Sequence, residues 1–377
     1  STAAATLDII GGTGKYFNNM GVPGAKSYHL VASGYGSAIN LSLGKANPYF
    51  VRFATSATTS VLADAMAQKP SFYTLWIGNN DVLSYATSGG LGVDQKGNLD
   101  PSTYGSNDIT DPNVVASVIK NVILGLKSAN ANSKGAIANI PYVTSIPYFT
   151  AVPYNPVPLS SASASTLNTS FSAINAKLKS VGMAERFSTL TASTSNPVLI
   201  IDKSLTDISA YLPAQYAIYG QARHATANDL ILLPASSVIG IDPTTGLPPT
   251  STSTKINGVT IPLADQLVLT EKEAAKVIAA TDAYNASISS LATTYGLALV
   301  DANAKMKELG TTSGIQYNGV KYTASFVTGG AFSLDGVHPN GRGYALIANT
   351  FIDAINKTYG STLPWVDINA YSGVTFP

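Results

Sequence analysis

The chain has 377 residues, 45% of them hydrophobic with no long apolar run, enough to bury one large core or two modest ones. Its 22 basic and 21 acidic residues leave a net charge of +1 and no concentration of Lys and Arg, which argues against nucleic acid as a partner. The lack of cysteine excludes disulfides, thiolate metal sites and a cysteine nucleophile.

Only 11% of residues are charged, and Ser, Thr, Ala, Gly and Asn fill the surface-type positions. That balance is more usual in exported proteins, so an extracellular location is expected. Residues 1–7 show neither a basic n-region nor an apolar h-region, and nowhere do 18 apolar residues run together; neither a signal peptide nor a membrane span is expected. A start at Ser1 without methionine fits a mature or truncated product.

The first chemical motif is Asn19-Met20-Gly21-Val22-Pro23-Gly24-Ala25. Two glycines around a proline make a tight turn whose backbone amide can approach a ligand, although such a turn also serves structure alone. An apolar strand over 72–77 then runs into Gly78-Asn79-Asn80-Asp81. A carboxamide fixed at a strand end is a neutral donor suited to an oxyanion, and Gly78 allows a sharp turn; an Asx turn capping the next segment is the structural alternative.

Asp111 and Pro112 place an N-cap and an N1 proline before Val115, Val118, Ile119, Val122, Ile123 and Leu126, which recur at helical spacing. A strand over 136–140 follows, then a proline-rich loop over 141–163 that should be rigid. Leu167, Phe171, Ile174 and Leu178 mark a further helix, and 198–201 a further strand. Residues 203–265 break this rhythm and read as an insertion or lid-like subdomain, with a surface excursion as the alternative. Thr270 and Glu273 form a capping box for a long helix that stops at Gly296, before a strand over 297–300. Strands apolar at consecutive positions, alternating with helices, predict a single α/β domain over 1–377 with a doubly wound parallel sheet.

The third motif is Asp335-Gly336-Val337-His338-Pro339, leading into a last helix over 343–359. A three-residue offset on a turn can bring a carboxylate to one imidazole nitrogen while the other faces a cleft, fixing the tautomer and stabilising the imidazolium. His29 sits among apolar residues and His224 lies within the insertion without a carboxylate at useful spacing, so both read as structural. No metal-ligand spacing occurs, so neither a metal nor another cofactor is expected.

In this order the three motifs resemble blocks II, III and V of the SGNH (GDSL-type) hydrolase family. Residues 21–30, 71–89 and 329–348 are similar to surface-lipoprotein members found in Bacteroidetes, which adds outer-membrane surface attachment as an expectation. The resemblance implies a flavodoxin-like sheet and an esterase, lipase or carbohydrate acetylesterase acting on an ester substrate. It makes the Gly24 N–H and the Asn80 side chain oxyanion donors, His338 the general base and Asp335 its orienting acid, with Gly78 and Asp81 in support.

The family's nucleophile is the serine of a Gly-Asp-Ser-Leu block at the end of the first strand, and no Gly-Asp-Ser occurs in this sequence. Ile10-Gly11-Gly12-Thr13-Gly14 lies only about ten residues before Gly24, too near for the crossover helix a βαβ unit needs. Neither Ser27 nor Ser333 is assigned as nucleophile. The serine is expected upstream of Ser1, on a segment of the same precursor that inserts as a complementing strand beside the one ending at Gly78. This chain alone is then expected to be inactive. The rival reading is a catalytically silent scaffold kept for binding or assembly.

Overall fold

The computed structural model describes residues 17–250 and 253–374. Its helices are α1 (Pro48–Phe53), α2 (Val61–Ala67), α3 (Asn80–Thr87), α4 (Pro112–Ala129), α5 (Pro147–Thr150), α6 (Ser161–Ser180), α7 (Glu271–Tyr295), α8 (Ala302–Leu309) and α9 (Gly341–Tyr359). Its strands are β1 (Phe72–Leu75), β2 (Lys134–Ala138), β3 (Leu199–Ile201), β4 (Ala222–His224), β5 (Leu230–Ile231), β6 (Val268–Leu269), β7 (Ala298–Val300), β8 (Ile315–Tyr317) and β9 (Val320–Tyr322).

The architecture is mixed α/β, built on a parallel sheet in the order β1-β2-β7, with Thr74 opposite Ala136 and Ile137 opposite Leu299. β2 is buried on both faces because its alternating side chains meet different helices. Ile137 joins Ile119, Ile123, Tyr284 and Ile288 of α4 and α7, whereas Ala136 and Ala138 pack with Val300 and with Ile355 of α9. The small alanines let α9 approach the sheet closely.

The helices form where their end signals lie. Asp111 Oδ1 accepts from the Asn113 and Val114 amides at 2.7 and 3.3 Å, Pro112 stands at N1, and all six apolar positions of the expected stripe are buried. α7 opens on the Thr270/Glu273 capping box and closes on Gly296 at φ 64°, a left-handed conformation that glycine adopts without strain. The last helix begins two residues earlier than expected, at Gly341, with Asn340 Oδ1 accepting from the Arg342 and Gly343 amides at 3.0 Å each.

One expected strand is misplaced. Residues 198–201 do not join the parallel sheet; β3 pairs antiparallel with β4, Leu199 opposite His224. Its consecutive apolar residues are covered by two local clusters rather than by two helical layers. Leu199 packs with Phe171, Leu178 and Phe187, while Val198 and Ile200 pack with Val157, Ile231 and Leu263. The described part of 203–265 feeds both clusters through Ile208, Tyr219, Ile231 and Leu263. Arg223 ties it together, reaching Asp202 at 2.7 Å and both oxygens of Asp229 at 2.6 Å.

Among the described residues β1 is paired on one side only. Its free edge borders a groove of about 770 Å³ walled by Leu30, Val61, Leu62, Val122 and Leu126. Tyr73 lines this groove, and its hydroxyl is buried without a partner among the described residues.

Candidate active site

The site gathers at the C-terminal ends of β1 and β7, where open parallel sheets place their ligands. Its first part is the turn closed by the Ala25 amide donating to Val22 O at 3.1 Å. Gly24 has φ +77°, and an added Cβ would meet nothing within 4 Å, so backbone conformation and not crowding calls for glycine. Among the described residues the Gly24 N–H has no partner.

The second part is the β1–α3 corner. Gly78 has φ +113°, and a Cβ there would lie 2.4 Å from Ile140 Cδ1, so only glycine fits. Asn80 Nδ2 donates one hydrogen to Ala25 O at 2.9 Å, which fixes the carboxamide against the first turn and leaves the other N–H for a ligand. Asp81 is fully buried and accepts from the Ser27 amide and hydroxyl at 2.8 Å each. Burial raises its carboxyl above the usual range, opposed by those hydrogen bonds and by Lys26. Lys26 is itself buried, donating to Asp108 O at 2.7 Å, and burial lowers its ammonium. These contacts lock the two oxyanion candidates to each other.

The third part is the turn from Ser333 to His338, closed by the Ser333 amide donating to His338 O at 2.8 Å and pinned by the Tyr148 amide donating to Gly336 O at 2.9 Å. Gly336 has φ +71°, and a Cβ would crowd the Tyr148 amide at 3.0 Å. Asp335 Oδ2 lies 2.7 Å from His338 Nδ1, and Oδ1 accepts from the Ser333 hydroxyl and the Val337 and His338 amides at 2.6, 2.8 and 2.9 Å. Burial pulls this carboxyl upward, but the hydrogen bonds outweigh it and hold the group well below the usual carboxylate range. An ionised Asp335 fixes the proton on Nδ1 and leaves Nε2 as the free base. The imidazole side chain is 68% exposed, so it is open to a reacting partner.

Gly24, Asn80 and His338, far apart in the sequence, line one cavity of about 420 Å³. Asp335 stands behind His338, and Gly78 and Asp81 behind Asn80. The cavity shares Val22, Trp76, Asn79 and Asn80 with the groove along β1, so the two spaces adjoin at the end of that strand. Among the described residues lining the cavity, Lys305 is the one lysine, arginine or carboxylate, and it is paired with Glu308 at 2.7 Å.

The remaining histidines lie elsewhere. His29 Nδ1 accepts from the Lys26 amide at 3.0 Å and its ring stacks on Tyr35; His224 Nδ1 accepts from the Ser188 amide at 3.0 Å between Phe171 and Phe187. Burial lowers both imidazoles to about 4. Ser27 and Ser333 are engaged by Asp81 and Asp335, and no serine among the described residues lines the cavity. The Ile10 to Gly14 segment lies outside the described residues. Sequence reasoning did not foresee the Tyr148 anchor, which comes from the proline-rich loop and carries no motif. The locking contacts of Asp81 with Ser27 and of Asn80 with Ala25 span more than 50 residues and leave no local signal.

Comparison with family models, curated proteins and solved structures finds no match for this chain.

Proposed function

We propose that this protein is an SGNH-type serine ester hydrolase with flavodoxin-like strand order, its nucleophilic serine supplied by a segment that lies as a parallel strand in the groove beside β1. The observation that carries the reading is the single cavity lined by the Gly24 amide, the Asn80 carboxamide and a histidine already oriented by a carboxylate. A strand parallel to β1 would end where groove and cavity adjoin, and its terminal residue would face Nε2 of His338. The unpaired β1 edge supports such an occupant, since buried backbone groups are ordinarily paired.

In the first half-reaction His338 Nε2 takes the serine proton as the oxygen attacks the ester carbonyl. Gly24 and Asn80 donate to the oxyanion, and the imidazolium, stabilised by Asp335, returns its proton to the departing alcohol. Water then hydrolyses the acyl-enzyme by the same route, releasing the acid.

The test treats the chain, together with the polypeptide encoded ahead of Ser1, with a fluorophosphonate probe and p-nitrophenyl esters. A labelled serine on a segment docked against β1, with ester turnover lost in His338→Ala, is expected. No label and no turnover would overturn the reading in favour of a silent scaffold, for which the absence of a lining serine among the described residues speaks.

A further inference from the structure

The cavity is not a polar cleft beyond its catalytic corner. Away from Gly24, Asn80 and His338 it penetrates between β7, α8, β8 and α9, where Val300, Met306, Leu309, Ile315 and Leu346 line it. Each of these is at most 9% exposed, so the pouch enters the main core rather than lying on its surface. Thr350, on the α9 side, already donates to Leu346 O at 2.9 Å, and Lys305 is paired with Glu308 at 2.7 Å. A sugar ring entering this pouch would lose its water hydrogen bonds without replacement, whereas an alkyl chain would lose nothing and leave water.

We infer that the pouch holds the acyl chain of the substrate, an unbranched alkyl chain of medium length rather than an acetyl group. This assignment rests on the ester-hydrolase reading for its chemistry, but pocket occupancy can be tested without it. It narrows the substrate class to lipid-type or other medium-chain esters and disfavours acetylated glycans.

Two measurements separate the claims. Calorimetric titration of the chain with butyrate and decanoate should show decanoate binding more tightly by about fourfold per added methylene, and Met306→Trp, which fills the pouch, should abolish the difference. In the serine-containing protein, kcat/KM for p-nitrophenyl esters should climb by a similar factor per methylene from acetate towards decanoate. Equal binding of the two acids, or a preference for acetate esters, would overturn the assignment whether or not Met306→Trp folds. Chain-length-dependent binding with no ester turnover would uphold the pouch and sink the hydrolase reading.

Discussion

His338 differs from the chain's other two histidines in what meets its Nδ1. His29 and His224 accept there from backbone amides, which makes Nδ1 the unprotonated nitrogen, whereas the Asp335 carboxylate requires a proton on Nδ1 of His338. Only the last arrangement leaves Nε2 basic and facing a cavity. In the serine-containing protein, His338→Ala is therefore expected to lower kcat by several orders of magnitude. Asp335→Asn should cost less, because it disturbs orientation without removing the base. Asn80→Ala should cost about 10²–10³ in kcat with a small change in KM, the usual loss for one oxyanion donor. Steady-state kinetics on one ester decide among these, and an Asn80 effect confined to KM would count against the oxyanion role. Gly78 is a different case, since its substitution acts on the fold. Gly78→Ala forces a left-handed residue with its Cβ 2.4 Å from Ile140 Cδ1, so it should destabilise the protein by about 2–4 kcal/mol in urea denaturation.

The helices illustrate which local signals suffice. Glu273 Oε2 accepts from the Thr270 amide and hydroxyl at 2.8 and 2.7 Å, so Thr270→Ala removes one of these bonds and the N-cap oxygen together. A loss of about 1 kcal/mol is expected by chemical denaturation, within the ordinary range for a cap. Caps, apolar periodicity and left-handed glycines act over a turn or two, and for that reason α4, α7 and α9 were legible in the sequence. So was the Asp335/His338 turn, whose partners are three residues apart. Strands β1, β2, β3 and β7 were legible as strands, and so was the parallel pairing of β1, β2 and β7, but the short β4, β5, β6, β8 and β9 and the antiparallel placement of β3 were not. Residues 198–201 have the same apolar run as β2, and what separates them is the identity of the groups covering each face, contributed by residues distant along the chain. The same limit hid the Asn80 bond to Ala25, the Tyr148 anchor and the apolar pouch.

At the scale of the whole molecule, two regions with separate apolar clusters each hold one neutral histidine: His29, half-buried against Tyr35 beside the main core, and His224, buried against Phe171 and Phe187 beside β3 and β4. Burial lowers both imidazoles to about 4, against about 6.5 in an unfolded chain. The unfolded state therefore binds a proton at each site from about pH 6.5 downward, and the native state resists until about pH 4. Stability contributed by keeping these rings neutral is fully present above pH 6.5 and falls steadily between 6.5 and 4. For His224, only 5% exposed, the loss is on the order of 3 kcal/mol across that window. Replacing it by phenylalanine removes the titration and keeps the aromatic packing, but leaves the Ser188 amide without its acceptor. His224→Phe should thus be less stable than the parent at pH 7 by about 1–3 kcal/mol, with that gap closing as the pH approaches 4. Urea denaturation followed at pH 7, 5.5 and 4.5 measures both quantities. A variant whose stability falls with pH as steeply as the parent's would show that His224 is not the group whose protonation loosens this part of the fold.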